Sequence, residues 1–194
     1  ECNAEEGLIV EIEKEVDKND PVFKKKAKVS MDEAKSIAIS NDGDSLVVGC
    51  GDKKCYQFPI NGDAIGEGSV LGDASGTIDC LAYSPDGTKL AMGTADREVK
   101  IWEFESNKFI VKGYWKYHTA RVTCISWAPN SVNLASGAID GKVFVWDITK
   151  KLRKTQYNNV HMNGGVCSIV YVDEGNVMTC GFDSVVKKFA VSPP

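Results

Sequence analysis

Short apolar runs alternate with turn residues along most of the chain. A representative stretch reads Ile78 to Ser84, then Pro85-Asp86-Gly87, then Lys89 to Met92, then Ala95-Asp96-Arg97, then Val99 to Glu103. Runs this short, bounded by residues that supply tight or left-handed turns, predict β-strands joined by hairpins. Successive side chains of a strand point to opposite faces. Ile78, Cys80 and Ala82 therefore share one face, and Leu81 and Tyr83 the other. Both faces are apolar, which predicts sheets covered on both sides by neighbouring sheets.

The same text recurs in one register. Gly49, Gly93, Gly137 and Gly181 are each 44 residues apart, as are the turn positions Gly43, Gly87, Ser131 and Gly175. Apolar columns run Ile37, Leu81, Ile125, Ile169 and Ile39, Tyr83, Trp127, Tyr171. Asp52, Asp96, Asp140 and Asp183 form a column of turn aspartates, and Phe58, Trp102, Trp146 and Phe189 close the units. The last step of both columns is 43, which places a one-residue deletion just before Asp183. A period near 44 residues signals a repeat architecture in which each unit buries its faces against its neighbours.

A more variable outer strand is expected after each unit, at Ala64 to Leu71, Lys108 to Trp115 and Leu152 to Tyr157. Four strands per unit and the ending Trp146-Asp147 resemble the WD-repeat family over residues 34 to 192. The implied fold is all-β: a partial WD40-type propeller of about four blades. The expected units are 34–73, 74–116, 117–159 and 160–194, with 1–33 supplying two strands of a preceding blade, Leu8 to Glu13 and Val22 to Val29. Seven-bladed rings at this period need about 300 residues, so the chain reads as the C-terminal fragment of a larger propeller protein. An open array leaves uncovered faces at both ends, so the isolated piece is expected to be marginally stable or to associate.

The best-matching repeat runs from His118 to Asp147. There His118, Ser136, Asp140 and Trp146 resemble the structural tetrad of the family, a hydrogen-bonded chain from Trp through Ser and His to the turn Asp. The other repeats depart from it: the first and second have no His, and the fourth has His161, Thr179 and Asp183 with Phe189 in place of Trp. Ser136, His118 and Asp140 are also the residue types of a hydrolase triad. A nucleophile, however, needs exposure and an oxyanion hole, and Ser136 falls in a predicted inner strand. The structural reading is adopted, and no enzyme activity is expected. Asp42, Asp86 and Asp173 suit hairpin turns through local backbone bonds. A calcium site would need more converging oxygens.

A net charge of −4 gives no reason to seek nucleic acid or an anionic membrane, and no apolar run approaches the roughly 20 residues of a membrane span. The acidic start, Glu1 to Glu6, is unlike a signal peptide. Seven cysteines follow no disulfide or zinc spacing, which favours reduced, buried thiols and no metal or cofactor. Two basic runs stand out, Lys24-Lys25-Lys26-Ala27-Lys28 and Lys150-Lys151-Leu152-Arg153-Lys154. They read first as solvated edges, and more sharply as contacts for an acidic protein surface. Tyr114, Trp115 and Tyr117 either anchor a partner or pack between outer strands, the second being favoured.

Several stretches resemble one WD family in particular, that of actin-interacting protein 1, the cofactor of cofilin. They are Ser36 to Asp44 with Asp52-Lys53-Lys54, Asp79 to Gly87, Cys124 to Pro129 with Ala135 to Asp140, and Asp183 to Val191. The resemblance implies a cytoplasmic protein of the actin cytoskeleton that binds cofilin-decorated filaments and promotes their disassembly. The alternative is a WD scaffold of another cytosolic complex. No binding residue carries over from the family. Lys24, Lys25, Lys26, Lys150, Lys151, Arg153 and Lys154 remain candidates on charge alone.

Overall fold

The computed structural model describes residues 33–62, 64–111 and 115–194. These hold sixteen strands in four antiparallel sheets, with no helix among the described residues. The first sheet contains β1 (Ala34–Ile39), β2 (Ser45–Cys50), β3 (Lys54–Asn61), the two-residue β4 (Ala64–Ile65) and β5 (Ser69–Asp73). The second contains β6 (Ile78–Tyr83), β7 (Lys89–Thr94), β8 (Val99–Glu103) and β9 (Lys108–Val111). The third contains β10 (Val122–Trp127), β11 (Asn133–Ala138), β12 (Val143–Asp147) and β13 (Lys154–Tyr157). The fourth has three strands among the described residues: β14 (Val166–Asp173), β15 (Asn176–Gly181) and β16 (Val186–Ala190). The two strands expected before residue 33 lie outside the described residues.

The sheets stack as blades through their first strands. β1 lies against β6, β6 against β10, and β10 against β14. The core is correspondingly divided into layers between blades. One cluster joins Val47, Cys55, Ile78, Leu90, Met92 and Trp102 between the first two sheets. The next joins Ala91, Ile101, Trp115, Val122, Trp127 and Trp146, and the third joins Ala135, Val145, Val166, Ile169 and Val177. This is the physical meaning of two apolar faces per strand. β11 and β12, sandwiched on both sides, are buried at every position. At the ends of the stack the equivalent residues face outward: Ile37 is 65% exposed on β1 and Val170 53% exposed on β14.

The glycine column explains how closely the blades approach. A Cβ on Gly49 would sit 2.5 Å from Ile78 Cγ2, and one on Gly137 would sit 2.6 Å from Val166 Cγ1. Gly49, Gly93 and Gly137 thus each receive the first side chain of the next blade's inner strand, whereas Gly181 stands at the register position of Ala138 and faces the His161 ring. Polar bonds lace the same seams: Ser36 Oγ donates to Ile78 O at 2.9 Å, and Trp127 Nε1 donates to Ala82 O at 3.0 Å. Every inner strand also carries a bulge at one repeat position, between Ala34 and Ser36, Ile78 and Cys80, Val122 and Cys124, and Val166 and Ser168. The strict alternation expected for β6 therefore breaks at Asp79.

The outer strands are shorter than the sequence suggests. The first splits into β4 and β5, separated by Gly66 to Gly68, with Gly66 N still bonded to Pro59 O of β3, and β9 is described as far as Val111. β13 begins at Lys154, because Lys150 to Arg153 form a turn closed by Arg153 N donating to Lys150 O at 2.8 Å.

Candidate functional site

The third blade brings His118, Ser136, Asp140 and Trp146 together. Trp146 Nε1 donates to Ser136 Oγ at 2.9 Å, and His118 Nε2 lies 2.9 Å from the same oxygen. His118 Nδ1 faces the Asp140 carboxylate at 3.2 Å. Only one proton assignment satisfies every partner: Trp146 donates to Ser136, Ser136 to His118 Nε2, and His118 Nδ1–H to Asp140. Asp140 also accepts from Thr119 N at 2.7 Å and Lys142 N at 3.0 Å. Burial pushes its carboxyl up, but the bonds from His118 and Thr119 outweigh this and hold it down at about 2. The network therefore ties the loop after β9 to the β11–β12 turn.

Ser136, His118 and Asp140 are the residue types of a hydrolase triad and are linked by hydrogen bonds in the sense Ser to His to Asp. Ser136 is fully buried and His118 is 3% exposed, and the serine oxygen is already engaged by an indole N–H. A substrate carbonyl has no path to it, and nucleophilic catalysis needs such access.

The other three turn aspartates differ among themselves. In blade 4, His161 Nδ1 lies 2.8 Å from Asp183 and its Nε2 lies 2.9 Å from Thr179 Oγ1, so two of the three links form without a tryptophan. Burial raises the Asp183 carboxyl, and the bonds from His161 and Val185 N together with the nearby Lys187 charge more than reverse this, leaving it lowered. In blade 1, Asp52 accepts from Lys54 N at 2.9 Å and from the Tyr56 hydroxyl at 2.6 Å, a partner the sequence did not single out. In blade 2 Asp96 packs over Gly76, and Glu98 N donates instead to Thr94 Oγ1 at 3.3 Å. Ala74 and Met92 occupy the His and Ser positions there, so Trp102 Nε1 is buried with no hydrogen-bond partner.

The candidate partner contacts divide. Lys24, Lys25 and Lys26 lie outside the described residues, as does Tyr114. Lys150 pairs with Asp147 at 3.3 Å and donates to Pro194 O at 2.8 Å. Lys154 Nζ sits 3.2 Å from the centre of the Tyr117 ring, a cation–π contact. Lys151 and Arg153 are exposed, with Leu152 73% exposed between them. Trp115 is fully buried, stacked 4.7 Å from Trp146, and donates from Nε1 to Lys151 O at 2.8 Å. It therefore buttresses the basic turn from beneath. Tyr117 keeps 42% exposure.

The described cysteines are free. Cys50, Cys55 and Cys124 are buried, and burial pushes the thiols of Cys55 and Cys124 up to about 12, which makes them unreactive. Cys167 departs from the expectation of buried thiols: it is exposed, because the bulge at Val166–Ser168 turns it outward. Among the described residues no cluster of three or more His, Cys, Asp or Glu could hold a metal ion, and no helix is long and apolar enough to cross a membrane.

Comparison with known proteins agrees with this architecture. The family model for the WD domain, G-beta repeat, matches residues 68–103 and 110–147. The chain is 34% identical over 155 residues to the 66 kDa stress protein of Physarum polycephalum, covering 80% of this chain and 26% of that one. It is 31% identical over 159 residues to actin-interacting protein 1-2 of Arabidopsis thaliana, covering 81% and 26%, and 31% identical over 159 residues to actin-interacting protein 1 of Drosophila melanogaster, covering 82% and 26%. The chain thus spans about a quarter of the length of these relatives. Among solved structures, that of U3-55K superposes with a TM-score of 0.74 at 16% identity, covering 84% of this chain and 50% of that one, a likeness of fold. Four repeated antiparallel sheets stacked by their inner strands, with a His–Ser–Asp–Trp network in the third, are a partial β-propeller; the chain carries WD repeats, and over about four-fifths of its length it is similar to actin-interacting protein 1.

Proposed function

We propose that the chain binds actin filaments and assists cofilin in dismantling them, by surface contact and without covalent chemistry. The observation that carries this reading is the similarity, over about four-fifths of the chain, to two proteins whose name states an interaction with actin. The chemistry of the surface is consistent with it. The triad-like residues are sealed inside a blade, whereas Lys151 and Arg153 project from a buttressed turn with Leu152 between them. A basic turn of this kind suits an acidic protein surface, and the Lys24 to Lys26 run is its counterpart by charge. On this reading the protein works in the cytoplasm at the actin cytoskeleton, with neither nucleic acid nor membrane as partner.

Filament cosedimentation with the full-length protein tests this. The protein should pellet with cofilin-decorated filaments more than with bare ones, and the pelleted actin should fall as it does so. Lys151→Glu with Arg153→Glu should weaken the pelleting. If the protein stays in the supernatant with both kinds of filament, the actin reading is refuted, and a WD scaffold of another complex remains, its partner to be sought by pull-down.

A further inference from the structure

Blade 4 carries two cysteines that its sheet sets against each other. β14 bears the bulge found on every inner strand: Val166 pairs with Gly181 and Ser168 with Cys180, so Cys167 and Ser168 together oppose Cys180. Burial along the strands shows which face they take. Ile169, Tyr171 and Val177 are buried against blade 3. Cys167, Ser168, Val170 and Met178 are exposed and Cys180 is half-buried, so these five side chains stand on the opposite face.

The neighbouring blade shows what this geometry allows. Thr123 holds the place of Cys167 in blade 3, and Gly137 holds that of Cys180. Thr123 Oγ1 donates to Gly137 O at 3.2 Å, so a side chain at the bulge reaches across to the opposing strand. A Cβ on Gly137 would lie 2.8 Å from Sγ of Cys124, the second bulge residue. A side chain at the Cys180 place therefore projects onto the face that the bulge occupies. Opposed residues of an antiparallel pair have Cα atoms about 4.5–5.5 Å apart, within the roughly 4.4–6.8 Å that a disulfide spans. Burial pushes the Cys124 thiol up, and the charges of Cys167 and Cys180 add to this, so both lie within electrostatic reach of one sulfur. Among the described cysteines Cys167 alone is exposed, which makes it the one an oxidant meets first.

We propose that Cys167 and Cys180 form a reversible redox switch, a cross-strand disulfide that closes when the surrounding thiol pool is oxidised and opens when it is reduced. Its co-reactant is a small disulfide of the glutathione class. The Cys167 thiolate attacks one sulfur of that disulfide, the S–S bond breaks, and one small thiol leaves after taking up a proton. Cys180, deprotonated in turn, attacks the Cys167 sulfur of the mixed disulfide and displaces the second small thiol. Two protein thiols are oxidised and one small disulfide is reduced to two thiols, so hydrogen and electrons balance. A bridge of this kind suits the reducing compartment proposed above, where the disulfides that form are mostly transient. In blade 3 the Thr123 hydroxyl also bonds Val166 O of the next blade. The switch therefore sits on a face by which blades stack, and closing it commits the Cys167 side chain to β15.

The test equilibrates the full-length protein with glutathione disulfide, caps the remaining thiols with iodoacetamide and cleaves after Glu174, which lies between the two cysteines. In wild type the fragments holding Cys167 and Cys180 should stay joined until a reductant is added. The joined form should exceed glutathione-capped Cys167 about tenfold, because the opposed thiol acts at high effective concentration. Cys180→Ser should abolish the joining and leave glutathione on Cys167, and Cys167→Ser should abolish it and leave Cys180 reduced. Position 167 is exposed and serine is close in size to cysteine, so that variant should fold, as an unchanged thermal melt verifies. The wild-type fragments decide the matter even where a variant melts early. Wild type that carries glutathione on Cys167 with no joined fragments overturns the pairing. So does Cys167 joined to a cysteine other than Cys180, and so does a Cys167 that neither reagent modifies in the folded protein.

Discussion

Asp140→Asn is the perturbation that interrogates the third-blade network most directly. The carboxylate accepts from His118 Nδ1, Thr119 N and Lys142 N, and its side chain is 5% exposed. Asparagine keeps the shape but replaces one accepting oxygen with a donor, which opposes at least one of these N–H groups. The carboxyl lies at about 2 against an ordinary value of 3.8. A gap of that size corresponds to about 2 kcal/mol of native-state stabilisation by the ionised form. Its folded value is depressed, so the contribution is complete above about pH 4 and is lost as pH falls through about 2. Urea denaturation of wild type and variant, run from pH 7 to pH 2, reads this as a difference. The variant should be about 2–3 kcal/mol less stable at pH 7, where thermal melting should fall by roughly 5–10 °C. The difference should shrink as pH falls from about 4 toward 2. Other lowered carboxylates, such as Asp86 and Asp147, titrate in both proteins and cancel. A variant within 0.5 kcal/mol of wild type at pH 7, by the about 1 kcal/mol scale of a single bond, would refute the reasoning.

Three further outcomes follow from the packing. Gly137→Ala places a Cβ 2.6 Å from Val166 Cγ1 and 2.8 Å from Cys124 Sγ, both in the packed seam, and should cost about 1–3 kcal/mol in a denaturant titration. The residue after each turn aspartate is left-handed: Arg97 has φ 70° and Gly141 φ 72°. Arg97→Gly should therefore gain about 0.5–1 kcal/mol. Gly141→Arg should lose more than that, since its Cβ would lie 2.2 Å from His161 O; calorimetric melts that shift in the same direction for both would contradict this. Trp146→Phe should cost about 1–2 kcal/mol more than Trp102→Phe, because Trp146 Nε1 bonds Ser136 whereas Trp102 Nε1 is buried without a partner. Equal losses would show that the indole bond contributes nothing.

Repetition made much of this protein legible without coordinates. A column of glycines 44 residues apart points to a backbone approached closely, and Gly49, Gly93 and Gly137 meet the next blade in that way; Gly181 does not, because the one-residue deletion falls in the β14–β15 turn and not just before Asp183, as the pairing Tyr171 with Val177 against Trp127 with Leu134 shows. Alternating apolar runs with Asp and Gly between them specify hairpins from local chemistry alone. The likeness of His118, Ser136, Asp140 and Trp146 to a motif could be read because its spacing is fixed by the blade. Other features depend on neighbours remote in sequence. The inner-strand bulges come from register against the second strand, which no periodicity encodes. The assignment of Trp115 to the core, and of Lys154 to the Tyr117 ring, depends on how the loop before blade 3 folds back over β12 and β13. Sequence determined the repeating unit, because strand and turn preferences act over a few residues. Tertiary structure decided which side chains each unit leaves exposed, because exposure is set by the blade next door.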